Sequence, residues 1–243
     1  MRLGLVIDLD TCVGCHACVV ACKQWNTSGT VGPLADYDPY GREPSGVMLN
    51  RVRHYEEGTY PNSKTVNVPV SCMHCDDPPC VDVCPTGASY KRDSDGIVLV
   101  DEDKCMGCNY CAWACPYGCR ELDYTSGTMK KCTLCVDRIY DDRLPEADRQ
   151  PACVLSCPTR ARHFGDLDDP DSEVSRLVRE RRGFVMLPEM GCNPVNHYLP
   201  PRPPESSRPG SAADGEATAE EAGASARPEP ADVQRWTNRV VHR

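Results

Sequence analysis

Residues 5–22 read LVIDLDTCVGCHACVVAC, and residues 98–115 read VLVDEDKCMGCNYCAWAC. The two stretches align without a gap at a constant offset of 93 residues. The offset carries Asp8 onto Asp101, Asp10 onto Asp103 and Gly14 onto Gly107. It also carries Cys12, Cys15, Cys18 and Cys22 onto Cys105, Cys108, Cys111 and Cys115. Each copy holds the run C-x2-C-x2-C-x3-C, the spacing that bacterial ferredoxins use around cubane iron–sulfur clusters. Short apolar runs, Leu5–Leu9 and Ile97–Val100, lead through Asp-rich turns into the cysteine loops and predict strands. After the third cysteine, VVAC and AWAC predict short helices that carry the last ligand away, and a ligand so displaced reaches a different cluster.

A second repeat lies outside the first. PPCVDVCPTGA, from Pro78, aligns with PACVLSCPTRA, from Pro151, at an offset of 73. It belongs to two further quartets: Cys72, Cys75, Cys80 and Cys84, and Cys132, Cys135, Cys153 and Cys157. Sixteen of the eighteen cysteines therefore form four quartets of two kinds, first with third and second with fourth. At four thiolates per cubane they predict four [4Fe-4S] clusters, with no ligand missing. The long period and the few copies suggest duplicated ferredoxin units rather than a solenoid. The fold class expected is α+β: bacterial-ferredoxin-like modules of short strands and helices around four clusters.

Composition supports that reading. The chain has 243 residues, 40% hydrophobic with the cysteines counted, and only two Phe. Without the cysteines about a third is apolar, thin for a core of this length. Metal ligation would then supply much of the folding free energy, and the metal-free chain is expected to be largely unfolded. Zinc sites favour two CxxC pairs with a spacer, and three close cysteines followed by a fourth do not fit them. A disulfide scaffold calls for an oxidising compartment. The N-terminus, MRLGLVIDLDTC, reads without the basic and apolar regions of a secretory leader. No run of about 18 apolar residues predicts a membrane span. The net charge of -9 argues against a nucleic-acid partner. The densest basic run, Arg179 to Arg182, reads as a solvated helix face or a subunit contact.

Residues 26–71 separate the first two quartets as an insertion, a Gly/Pro/Asp-rich loop and then a hairpin built on alternating valines such as Val66 and Val68. Residues 201–243 are rich in Pro, Ala, Gly and Glu and are expected to be disordered, with Trp236 and Val240 able to dock a short end segment. Cys119 and Cys192 read as spare thiols. Tyr110, Trp113 and Tyr117 read as packing that keeps water from the third quartet. Lys23 stands where the other quartets have proline; it reads either as a charge that raises a cluster potential or as a solvated lysine. His16 and His74 lie inside cysteine loops, where they could tune a potential. Nucleotide-binding glycine loops, nucleophile–base pairs and H-E-x-x-H are absent from the sequence, so no residue is assigned to catalysis.

Four quartets in this order resemble the iron–sulfur subunit of the dimethyl sulfoxide reductase family of molybdopterin oxidoreductases. The phrases CVGCHACVVACKQWNTSG, PPCVDVCPTGASYKR, DGIVLVDEDKCMGCNYCAWACPYG and KCTLCVDRIYD carry the resemblance, which spans about residues 3 to 200. GPLADYDPYG, ACVLSCPTRARHFGD, DPDSEVS and NHYLPPR resemble the membrane-bound, quinone-linked sulfite dehydrogenase branch. The resemblance implies that quartets exchange their last ligands. Cluster one would take Cys12, Cys15, Cys18 and Cys157, and cluster two Cys22, Cys132, Cys135 and Cys153. Cluster three would take Cys72, Cys75, Cys80 and Cys115, and cluster four Cys84, Cys105, Cys108 and Cys111. Residues 1–25 with 126–200 would then form one module and residues 72–125 the other. A molybdopterin catalytic subunit and an integral quinone-binding anchor are the implied partners, with no direct small-molecule substrate for this chain. The implied location is peripheral, on the cytoplasmic face of the inner membrane. Close relatives serve dimethyl sulfoxide, tetrathionate, polysulfide and thiosulfate enzymes, and a free-standing polyferredoxin is a further alternative. The cysteines themselves fix neither the substrate nor the direction of electron flow.

Overall fold

The computed structural model describes residues 1–27, 46–61 and 63–202. The loop predicted before the hairpin and, from residue 203, the predicted tail lie outside these residues. In chain order the elements are β1 (Leu3–Asp8), α1 (Ala17–Asn26), β2 (Asn50–Glu57), β3 (Lys64–Ser71), α2 (Pro79–Asp82), β4 (Ser89–Lys91) and β5 (Val98–Val100). There follow α3 (Tyr110–Ala114), β6 (Glu121–Asp123), β7 (Thr128–Lys130), α4 (Val136–Ile139), α5 (Ala152–Leu155), β8 (Arg162–Asp166), α6 (Glu173–Glu180) and β9 (His197–Leu199). Among the described residues no helix is long and apolar enough to cross a membrane.

The duplication seen in the sequence extends to strand register. β1 pairs antiparallel with β8, setting Ile7 opposite Arg162 and Leu5 opposite Phe164. β4 pairs antiparallel with β5, setting Ser89 opposite Val100 and Lys91 opposite Val98. Shifted by the two repeat offsets, the second pairing becomes the first. The helices obey the same offsets: α1 and α3 begin at Ala17 and Tyr110, α2 and α5 at Pro79 and Ala152. α1 packs on α5, and α2 packs on α3. α1 and α5 carry cysteines of the first and fourth quartets, and α2 and α3 carry cysteines of the second and third.

The turn chemistry is duplicated as well. Asp8 Oδ1 accepts from the Asp10 N–H at 3.0 Å, and Asp101 Oδ1 from the Asp103 N–H at 3.1 Å. Such Asx contacts turn the chain out of the strand and into the cysteine loop. His16 (φ 60°) and Asn109 (φ 65°) adopt the left-handed conformation just before α1 and α3. Asn and His accept that region more readily than most residues.

β2 and β3 form the hairpin, with Asn50 opposite Ser71 and Arg53 opposite Val68. Val66, Val68 and Val70 are buried, as alternation along one face requires. The segment is more than an insertion, because β6 and β7 form a shorter hairpin at the same point before the fourth quartet. Both hairpins close over a cysteine loop. Gly14 (φ +68°) lies under the first, where a Cβ would meet Asn67 Oδ1 at 2.6 Å. Gly107 (φ +69°) lies under the second, where a Cβ would meet the Gly127 carbonyl at 2.5 Å. Only glycine satisfies both the backbone angle and the close approach.

β1 is buried along its whole length between β8 and the parallel β9. Leu5 and Ile7 point into the main core, while Val6 points the other way onto Val174 and Leu199. The Ser172 hydroxyl caps α6 by accepting from the Ser175 N–H at 3.2 Å. The basic run at the end of α6 is not uniformly solvated. Arg181 clamps Asp8, with Nη1 3.0 Å from Oδ2, and Nη2 donates to the Pro200 carbonyl at 3.0 Å. Arg181→Ala leaves a nearly buried carboxylate without its partner, so a loss of about 3 kcal/mol is expected. Denaturant unfolding of the cluster-loaded protein measures it.

Candidate iron–sulfur centres

Close-spaced cysteines wrap three sulfurs around one point, and the helix that follows takes the fourth elsewhere. Cys12, Cys15 and Cys18 line one cavity, and its fourth cysteine is Cys157. Cys105, Cys108 and Cys111 line a second cavity, and its fourth cysteine is Cys84. The two cavities are similar in size and both open to solvent, with about 310–320 Å³ of space counted out into the solvent. The remaining quartet cysteines are buried apart from Cys115, which is half-buried. Cys22 faces Cys132, Cys135 and Cys153. Asn26 Nδ2 spans that group, 3.8 Å from Cys22 Sγ and 3.4 Å from Cys135 Sγ. Cys75 has Cys72, Cys192, Cys80 and Cys115 as its neighbouring thiols. Cys153 also neighbours Cys18, and Cys132 neighbours Cys72.

The donors suit a cluster better than a single ion. Among the described residues no three His, Cys, Asp or Glu side chains converge closely enough to chelate one ion. All eighteen cysteines are free of disulfide bonds. Burial pushes the Cys132 thiol up to about 11, helped by neighbouring Cys153 and Cys72. Burial likewise pushes Cys22 well above its ordinary value. Iron supplies the positive charge that ionises such thiols, so loading releases protons. Backbone N–H groups already aim at sulfur: Ser89 N–H at Cys84 (3.3 Å), Met129 N–H at Cys105 (3.3 Å) and Ala161 N–H at Cys157 (3.2 Å). Buried donors also stand without protein acceptors, among them Arg120 Nη1 and Arg162 Nε. The inorganic sulfides of a cubane are acceptors for such donors, so the residues present fit the group.

Several residues stand differently from their sequence reading. Trp113 is 79% and Tyr110 51% exposed, so neither excludes water from a cysteine loop. Their α3 is too short to bury both faces. Tyr117 alone of the three is buried, and its hydroxyl donates to the Met186 carbonyl at 3.3 Å. Lys23 is buried rather than solvated; Nζ donates to the Val47 carbonyl at 3.2 Å and has Asp123 as its charged neighbour. His74 is fully buried, and its Nδ1 accepts from the Val98 N–H at 3.1 Å. Burial holds it neutral, with the proton left on Nε2. His16 instead meets His54 at the surface, Nε2 to Nε2 3.1 Å. Cys119 and Cys192 gather beside Cys115, and a hydrogen bond from Cys119 draws the Cys115 thiol down to about 6. The sequence signalled neither placement. It also left Arg120, Lys131 and Arg162 unnoticed, although Lys131 directly precedes a ligand candidate.

Comparison with known proteins agrees with this geometry. Residues 11–88 and 64–167 each match a family described as a 4Fe-4S dicluster domain. The chain is 63% identical to a sulfite dehydrogenase subunit of Allochromatium vinosum, over 83% of this chain and 84% of that protein. It is 38% identical to a putative dimethyl sulfoxide reductase iron-sulfur subunit of Halobacterium salinarum, over 81% of this chain and 78% of that protein. It is 38% identical to a tetrathionate reductase subunit of Salmonella typhimurium, over 82% of this chain and 72% of that protein. The chain therefore belongs to the family of iron–sulfur electron-transfer subunits of molybdopterin oxidoreductases of the dimethyl sulfoxide reductase type.

Proposed function

We propose that this chain relays electrons through four [4Fe-4S] clusters between a molybdopterin catalytic subunit that oxidises sulfite and a quinone-reactive membrane anchor. What supports the reading is a pair of cavities, each lined by three cysteines of one quartet and one of another, beside further thiols gathered around Cys22 and Cys75. The 63% identity to a sulfite dehydrogenase subunit favours sulfite over other substrates. In this reading Cys12, Cys15, Cys18 and Cys157 hold the first cluster, and Cys22, Cys132, Cys135 and Cys153 the second. Cys72, Cys75, Cys80 and Cys115 hold the third, and Cys84, Cys105, Cys108 and Cys111 the fourth. The modules are residues 1–25 with 126–200, and residues 72–125. The chain lies peripherally on the cytoplasmic face of the inner membrane.

A bound cluster supplies one-electron chemistry at a potential that its surroundings set. The protein's part is to hold it, keep it dry and point donors at its sulfurs. The thiols would ligate, and the backbone N–H groups of Ser89, Met129 and Ala161 would offset negative charge. No side chain of this chain is assigned to bond making or breaking in the substrate.

Cys84→Ser in the assembled complex tests the relay. Sulfite oxidation read with a dye that takes electrons at the catalytic subunit is expected to persist, while quinone reduction is lost. Equal loss of both activities in an assembled, molybdenum-loaded complex would contradict the relay role.

A further inference from the structure

Three buried cations lie beside the cysteine groups, and none is matched by a carboxylate among the described residues. Arg162, 3% exposed, places Nη1 3.6 Å from Cys153 Sγ and Nη2 2.8 Å from Asn50 Oδ1. The same residue lines the cavity of Cys12, Cys15, Cys18 and Cys157. Arg120, 6% exposed, donates from Nη2 to Cys80 Sγ at 2.9 Å and to Ser89 Oγ at 2.7 Å. It too lines an outer cavity, that of Cys84, Cys105, Cys108 and Cys111. Lys131, 3% exposed, donates to the carbonyls of Val98 and Cys132. Burial and the like charge of Arg120 oppose its protonation, and Cys72 and Cys80 of one inner group and Cys132 of the other favour it.

The placement has a pattern. Arg162 stands between the first and second groups, Lys131 between the second and third, and Arg120 between the third and fourth. Burying a cation without a counter-charge costs several kcal/mol. A thiolate-ligated cluster is the anion that offsets that cost. Symmetry did not dictate the arrangement, because Arg162 aligns with Ser89 in the sequence repeat, whereas Arg120 reaches the equivalent sulfur, Cys80, from a non-equivalent position in the chain.

We propose that Arg162, Lys131 and Arg120 are junction cations, each shared by two neighbouring clusters and raising the reduction potential of both. A positive charge favours the reduced, more anionic cluster. A charge shared by two neighbours raises both and leaves their difference small, so that no single step of the relay becomes steeply uphill. The inference rests on the four-cluster reading above.

The test is a redox titration of the purified complex, followed by electron paramagnetic resonance, with Arg162→Gln, Lys131→Met and Arg120→Gln. Each variant is expected to lower two of the four couples by at least tenfold in reduction equilibrium, ~59 mV for one electron. The other two couples are expected to stay in place. Neighbouring variants should share one couple, and Cys84→Ser identifies the signal of the fourth cluster. Arg162→Lys, Arg120→Lys and Lys131→Arg keep the charge and should keep the potentials. Uniform shifts, shifts of a single couple, or no shifts overturn the proposal. If a neutral variant fails to load iron while its charged counterpart loads fully, charge is what the junction requires, in support of it. Failure of both shows that shape alone matters, against it. Iron and couple counts on the unaltered complex keep the two readings apart: fewer than four clusters defeats the ligand assignment, whereas four clusters without paired shifts defeats only the junction cations.

Discussion

Removing iron from the loaded protein is expected to unfold it rather than leave an open scaffold. The smaller of the two cores that hold cysteines in both outer and inner groups contains four buried residues, and two of them are Cys80 and Cys111. The main core likewise includes Cys18, Cys72, Cys75, Cys132 and Cys153. Around them the elements are short: α2 and α5 have four residues each, and β4 and β5 three each. Helices and strands of that length do not persist in water without tertiary support. Taking out the clusters also leaves the buried guanidinium groups of Arg120 and Arg162 without an anion. Native stabilities of about 5–15 kcal/mol cannot absorb such losses. Circular dichroism and limited proteolysis, before and after chelation under reducing conditions, measure the effect. A metal-free chain that kept its spectrum and its resistance to cleavage would refute it.

Gly107→Ala is expected to cost the protein one cluster. The new Cβ would stand 2.5 Å from the Gly127 carbonyl oxygen, against backbone and not against a side chain that can swing aside. The φ of +69° adds left-handed strain of about 1–2 kcal/mol. To relieve the clash the cysteine loop must lift away from the β6–β7 hairpin, and Cys105, whose Sγ accepts from the Met129 N–H, loses that donor. Gly118→Ala is the control, with a similar φ of +62° but open space around the new methyl. It should show only the backbone strain and retain full iron. Iron-to-protein ratio and the count of reducible centres distinguish the two variants. Equal loading in both would show that the hairpin yields.

The family was legible in the sequence because cubane ligation makes unusual local demands. Three thiolates within seven residues, a glycine between the first two, and a fourth cysteine one helical turn later have few other uses. The repeat offsets of 93 and 73 then carried structural weight, down to the register of β1 with β8 and of β4 with β5. Exposure was less legible. Tyr110 and Trp113 look like packing residues in the sequence, but a five-residue helix buries only Cys111 and leaves both rings in solvent. Lys23 looks like a surface charge, yet the chain around Val47 folds over it.

What the sequence determined by itself is the set of ligand candidates and their division into two kinds, since both follow from spacing along the chain. Tertiary structure decided which cysteines distant in sequence come together, because α1 and the end of α3 carry Cys22 and Cys115 toward thiols of other quartets. It also decided where charge lies inside the molecule. Arg120, Lys131 and Arg162 look ordinary in the sequence. Folding withdraws them from water beside cysteines, with no carboxylate partner among the described residues.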